Sequence, residues 1–216
     1  MARLDIYWSF RSPYSYLAID RLAAIADDYD VETRFRPVRP LAIREPDFFE
    51  KNRPQFLPYL LKDAFREGQR LGVPIAPPRP DPIRMDLASG KVAPKQPLIE
   101  RLMGLAIAAV EAGRGLEFAR AAAHRIWRGV ENWDEGNHLR EAASEAGLEF
   151  SKLEYWAGRN RARIDEIVAE NEAEQLKHHW GVPLMALDEE PFYGQDRLDA
   201  LVWRLNLNGL RKKLTR

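Results

Sequence analysis

The sequence predicts an α/β protein whose sheet is split in the chain by an inserted block of helices. Three observations carry this. An apolar stretch, Leu4 to Phe10, has the composition of a buried strand and runs into a helix start at Ser12-Pro13. Residues 41–174 are mostly of helical period, with no convincing strand. The strand pattern then returns in Val182 to Leu187 and Pro191 to Tyr193, ahead of a final helix. One sheet assembled from both ends of the chain is the simplest arrangement that uses all three.

The first helix is expected over about Pro13 to Asp28. Ser12 suits the N-cap, where its hydroxyl accepts from a free backbone N–H, and Pro13 suits the first helical position. Tyr14, Leu17, Ala18 and Leu22 follow at helical spacing. A serine there stands among unpaired N–H donors at the positive end of the helix dipole, a place that can hold an anion. Ser12 either caps only, or caps and holds an anion. Val31 to Val38 alternates as a strand, and strand-helix-strand makes a parallel pair with a right-handed crossover.

From Arg39 prolines at 40, 46, 54 and 58 cut the chain into short pieces, with Phe48, Phe49 and Phe56 between them. A helix is expected over Phe56 to Leu71. The five prolines of residues 73–86 demand an irregular segment. Helices are then expected at Pro97 to Ala112, Leu116 to Arg128, Glu135 to Ala146, Ser151 to Trp156 and Arg159 to Trp180. Two strands joined at Asp188-Glu189-Glu190 precede a helix that opens near Gln195 to Arg197 and carries Leu198, Leu201, Val202 and Leu205.

At 216 residues and 45% hydrophobic, the chain can bury a sizeable core. Lys plus Arg and Asp plus Glu both number 33, so no global charge recruits nucleic acid or an anionic membrane. There is no cysteine, which removes disulfides, thiolate metal sites and any thiol of the protein's own. His124, His138, His178 and His179 have no metal-ligand spacing. His178 and His179 lie just before Gly181-Val182-Pro183, as helix C-terminal residues or as a base reaching a site. Trp8 and Trp127 read as core or pocket wall, and the RKKLTR tail as a solvated terminus. MARLDIYWSF lacks the features of a signal peptide, and the longest apolar run, around Leu102 to Val110, is short of a bilayer's width. A cytoplasmic protein is the expectation.

Three segments together carry a resemblance: YWSFRSPYSYLA, YLLKDAFREGQRLGVP and GVPLMALDEEPFYGQDRLDAL. In this order they resemble the thioredoxin-like fold of the disulfide oxidoreductase A type with a helical insertion domain. Within that group the chain is similar to the 2-hydroxychromene-2-carboxylate isomerases and the kappa-class glutathione transferases. The resemblance implies a thioredoxin-like domain from residues 1–40 and 175–216, interrupted by an inserted helical domain at 41–174. Thiol oxidoreductases of this fold begin the first helix with Cys-x-x-Cys, and Ser12 and Ser15 stand in those places here. Dithiol exchange is therefore excluded, and the resemblance implies glutathione as cofactor, its sulfur near Ser12.

The further implications are by residue. Pro183 is expected in the cis form, turning the Val182 backbone outward to pair with the cofactor as an added strand. Gln195, Asp196 and Arg197, after Gly194, are expected at its γ-glutamyl end, although Asp196 can equally cap the last helix. Asn52 is a further cofactor contact by resemblance, next to Arg53, while Phe56 stands where family members carry a lysine. Arg11, Tyr14, Asp63 and Arg66 are candidates for the substrate pocket; Asp63 and Arg66 also have the spacing of a helical ion pair. The implied activity is cis-trans isomerisation of an aromatic α-keto acid in aromatic catabolism, with a homodimer as the implied assembly. A kappa-like glutathione transferase or peroxidase uses the same site, and a non-catalytic peptide- or protein-binding module uses only the Val182-Pro183 edge.

Overall fold

The first strand, β1 (Ala2–Trp8), ends earlier than its apolar run suggests, because the Ser12 N–H donates to the Ser9 carbonyl (3.2 Å) and closes a turn that lifts Ser9 and Phe10 out of the sheet. The computed structural model describes residues 1–52 and 54–212. Helix α1 (Pro13–Asp28) follows, then β2 (Val31–Pro37), which pairs with β1 in parallel. After the helices, β3 (Leu184–Leu187) returns to pair antiparallel with β1, and β4 (Glu190–Tyr193) completes the sheet in the order β2-β1-β3-β4. At the β3–β4 turn Asp188 and Glu189 take positive φ, and Asp188 accepts the Arg3 N–H at 2.8 Å.

Between β2 and β3 the chain is helical. Two four-residue turns, α2 (Leu41–Arg44) and α3 (Phe48–Lys51), occupy the proline-cut stretch, and α4 (Phe56–Leu71) has the expected limits. Residues 73–96 are irregular. Then come α5 (Pro97–Glu111), α6 (Gly115–Trp127), α7 (His138–Glu145), α8 (Phe150–Arg159) and α9 (Arg161–Leu176). Helix α8 runs past its expected end at Trp156, and α9 stops short of its expected end at Trp180. Asn160 has non-helical backbone angles and its side chain donates to the Trp156 carbonyl (2.8 Å), so the break falls there. At the other end the His178 and His179 N–H groups both turn back to the Gln175 carbonyl and stop α9. A short 3-10 turn (Gln195–Arg197) leads into α10 (Leu198–Leu207).

Alternation along β1 sends its side chains to two faces. Leu4, Ile6 and Trp8 join one continuous core with Leu17 and Leu22 of α1, Leu102 and Leu105 of α5, and Phe118 and Ile126 of α6. Tyr7 packs on the other face with Val38, Leu184 and Ala186. Burial pushes the Tyr7 hydroxyl up to about 12. Trp8 and Trp127 are buried, their indole N–H groups donating to the Ser15 and Phe10 carbonyls. Among the described residues no helix is long and apolar enough to cross a membrane. Lys213 to Arg216 of the basic tail lie outside the described residues, as does Arg53.

Candidate active site

The Ser12 side chain caps α1, its Oγ accepting the Ser15 N–H at 3.1 Å. That bond uses an oxygen lone pair and leaves the hydroxyl proton free to donate. The nearest acceptor is the Val182 carbonyl, at a long 3.5 Å. Ser15 has turned away: it is fully buried.

Opposite Ser12 the Val182-Pro183 peptide is cis. Among the described residues the Val182 N–H has no hydrogen-bond acceptor. The Val182 N–H, next to β3, is thus available to a ligand strand, while the Val182 carbonyl faces the Ser12 hydroxyl.

A groove of about 680 Å³ opens beside this pair. One wall is α1 and α4, giving Tyr14, Asp63, Glu67 and Arg70; the other is Val182 and Tyr193 through Arg197. The Tyr14 hydroxyl donates to Asp63 at 2.7 Å, and Asp63 also takes the Arg66 guanidinium. Burial, then the Asp63 bond, pushes the Tyr14 hydroxyl well up, while the Tyr14 bond and then Arg66 hold the Asp63 carboxyl below its usual range. Tyr14 is thus a neutral donor and Asp63 a carboxylate at neutral pH.

The Gln195 side chain is buried and already engaged. It accepts from Arg21 and donates to Glu67 (2.8 Å), which pairs in turn with Arg70. The Arg70 bond is the main reason the Glu67 carboxyl lies low. Asp196 and Arg197 are exposed, 3.7 Å apart. Asp196 folds over Gly194, where a Cβ would collide with its Oδ1.

Five expected residues do not border the groove: Ser12 and Pro183, which adjoin Val182, and Asn52, Arg11 and Arg66. Asn52 donates to the Phe48 carbonyl (2.6 Å) and closes α3. Arg11 already holds a carboxylate, Asp81, through two contacts of 3.2 Å, and lies over the Phe49 ring at 5.9 Å. Arg66 is exposed on α4, turned to Asp63 and the Tyr59 ring.

Glu67, Arg70 and Tyr193 border the groove without having been singled out in the sequence. Asp63, Glu67 and Arg70 recur at helical spacing, so the polar stripe of α4 was the available signal. Beyond the groove Phe48 packs on Phe49, Phe56 and Trp180, continuing an aromatic surface from α3 to the Val182 loop.

A larger depression of about 780 Å³ lies between α1, β2, α6 and α9. Neither Val182 nor Asp196 borders it, and its rim is largely self-paired, as in Arg120–Asp20 and Arg163–Glu166.

A serine at the mouth of the first helix, facing a cis-proline loop on this sheet, is the layout of one structural class, and residues 3–206 match the model of the DSBA-like thioredoxin domain: the chain belongs to that family. Among curated proteins it is similar to the 2-hydroxychromene-2-carboxylate isomerase of Sphingobium xenophagum, 28% identical over 204 residues, covering 92% of this chain and 95% of the relative. The 2-hydroxychromene-2-carboxylate isomerase of Pseudomonas putida is 28% identical over 208 residues, covering 90% of each. A solved 2-hydroxychromene-2-carboxylate isomerase superposes with a TM-score of 0.69 at 22% identity, over 95% of each chain.

Proposed function

We propose that the protein is a glutathione-dependent isomerase of a 2-hydroxychromene-2-carboxylate or a related aromatic α-keto acid. The observation that carries the reading is Ser12. A hydroxyl whose only acceptor among the described residues is a carbonyl at 3.5 Å stands at a helix N-terminus, opposite a Val182 N–H with no partner there, in a chain with no thiol of its own. The curated relatives supply the reaction class.

The residues fit a peptide thiol. Val182 offers one N–H and one carbonyl in strand geometry, the groove is of ligand size, and Asp196 offers an exposed carboxylate to an ammonium group. Bound glutathione would supply a thiol nucleophile that adds reversibly to a conjugated enone, so that the former double bond can rotate. The protein's part is electrostatic and positional. Ser12 donates to the negative charge, and the dipole of α1 favours it. Tyr14 keeps its proton and is a donor at the groove wall.

Calorimetric titration with reduced glutathione tests the site. Binding in the micromolar to millimolar range is expected, weakened about tenfold by Asp196→Ala, roughly one charge-assisted hydrogen bond. Product analysis tests the reaction: isomerisation returns all the glutathione, whereas transfer consumes it. A protein that binds no glutathione in this range is not this enzyme, and the peptide-binding module becomes the better reading.

A further inference from the structure

The loop Lys177–Pro183, which presents Val182, is held almost entirely by groups that do not titrate near neutrality. Gln175 of α9 donates to the Trp180 carbonyl (3.1 Å) and the Gly181 carbonyl (2.7 Å). Arg44 of α2, half-buried, donates to the same Trp180 carbonyl (3.0 Å) and to Gln175 (3.2 Å). The exception is His179. Its Nδ1 accepts the Gly181 N–H at 2.9 Å, so that nitrogen carries no proton.

The same ring is clamped against the groove. It stacks on Tyr193 with centroids 3.7 Å apart and planes at 21°, and on Trp180 at 5.1 Å. Gly181 lies under the Tyr193 ring so closely that a Cβ there would come within 2.5 Å of it. One imidazole thus joins the residue before Val182 to the wall formed by Tyr193.

We propose that neutral His179 is a positioning residue, holding the Gly181 N–H so that the Val182 backbone faces the ligand, and that protonation of the ring releases the loop and weakens binding in acid. The ligand in this statement rests on the glutathione reading; the hydrogen bond does not. A proton on Nδ1 would set a donor against the Gly181 donor, so the ring would have to turn out of its stack.

The charged and titratable groups around the ring supply no compensation. On α9 and its end these are Glu172, which accepts from Arg39, the Lys177–Glu174 pair, and His178. On α2 the group is Arg44, a cation. On β4 it is Tyr193, whose hydroxyl burial pushes up, with Asp196 beyond. Among the described residues no carboxylate forms an ion pair with His179, and burial holds its pKa below the usual imidazole value.

The test uses S-methylglutathione, which has no thiol to titrate, at about pH 7.5 and about pH 5.0, either side of the ordinary imidazole range. Wild type should bind about fivefold or more weakly in acid. His179→Asn supplies a side-chain oxygen that can accept the N–H two residues on and does not titrate; its affinity should change less than about twofold between the two conditions. His179→Ala should bind weakly at both. In the unliganded wild type, the Gly181 amide resonance should follow the His179 titration and lose exchange protection in acid. Equal pH dependence in wild type and His179→Asn, or a Gly181 amide indifferent to His179, would overturn the inference. Failure to bind at pH 7.5, with Gly181 still following His179, would overturn the glutathione reading and uphold the His179–Gly181 coupling.

Discussion

Ser12 has two physical duties that different readouts separate. As N-cap it satisfies an orphan N–H of α1, and Ser12→Ala should cost about 1 kcal/mol, a fall in Tm of roughly 2–4 °C. As donor to developing negative charge it should matter more: turnover with glutathione should drop on the order of a hundredfold. Ser12→Asp discriminates, since aspartate caps as well as serine but repels a thiolate. It should restore Tm and leave turnover low; recovered turnover would show that Ser12 only caps. Ser12 was legible as the cap of α1 because the signal is local, a capping residue beside a proline; the cis form of Pro183 was expected from the family resemblance alone, since Gly-Val-Pro by itself reads as an ordinary strand start. Gln195 was legible as a position but not as buried: its partners, Arg21 and Glu67, are 174 and 128 residues away.

The turn from β4 to α10 depends on Gly194. Its φ of +106° is a conformation that side chains rarely adopt, and a Cβ would strike Asp196. Gly194→Ala should therefore lose roughly 1–3 kcal/mol in urea unfolding and displace Asp196, weakening glutathione binding as Asp196→Ala does. Unchanged stability would show that the turn relaxes freely. Most elements were legible from caps and period: α1 and α4 have the expected limits because Pro13 opens one and Gly72 closes the other. The α8–α9 boundary was not. Residues 150–176 have nearly continuous helical composition, and the break depends on one asparagine turning its amide to Trp156. The two short helices before α4 lie in proline-rich chain, where local pattern gives turns and no lengths.

Across the whole molecule, titratable groups set a two-stage response to acid. Burial lowers the pKa of His124 and His179, so the folded state prefers their neutral forms. That contribution is complete above the unfolded value of about 6.5 and is lost as pH falls through the lower folded values. Asp63, Glu67 and Glu145 have lowered carboxyls, chiefly through hydrogen bonds from Tyr14, Arg70 and Arg125. Their contribution is complete above an unfolded value of about 4 and is lost as pH falls through the folded ones. Thermal unfolding should show Tm level near neutrality, falling first below about pH 6.5 and again below about pH 4. A Tm unchanged down to pH 4 would show that the two histidines contribute nothing. At this scale the split sheet was legible in the order of patterns along the chain. The packing of the helices onto its core was not, since periodicity tells which residues are buried and not against what.

The central place of β1 has a consequence for the order of events during synthesis. One edge of β1 is satisfied as soon as β2 emerges, about thirty residues later in the chain. The other waits for β3, with Arg3 and Asp188 separated by 185 residues. At ribosomal rates of about 5–20 residues per second, an apolar strand edge stays open for roughly seven to thirty seconds while the helices are made. The nascent protein is thus most prone to wrong strand pairing over that interval. A ribosome that stalls before Leu184 leaves a chain with an open edge and only half of its candidate site.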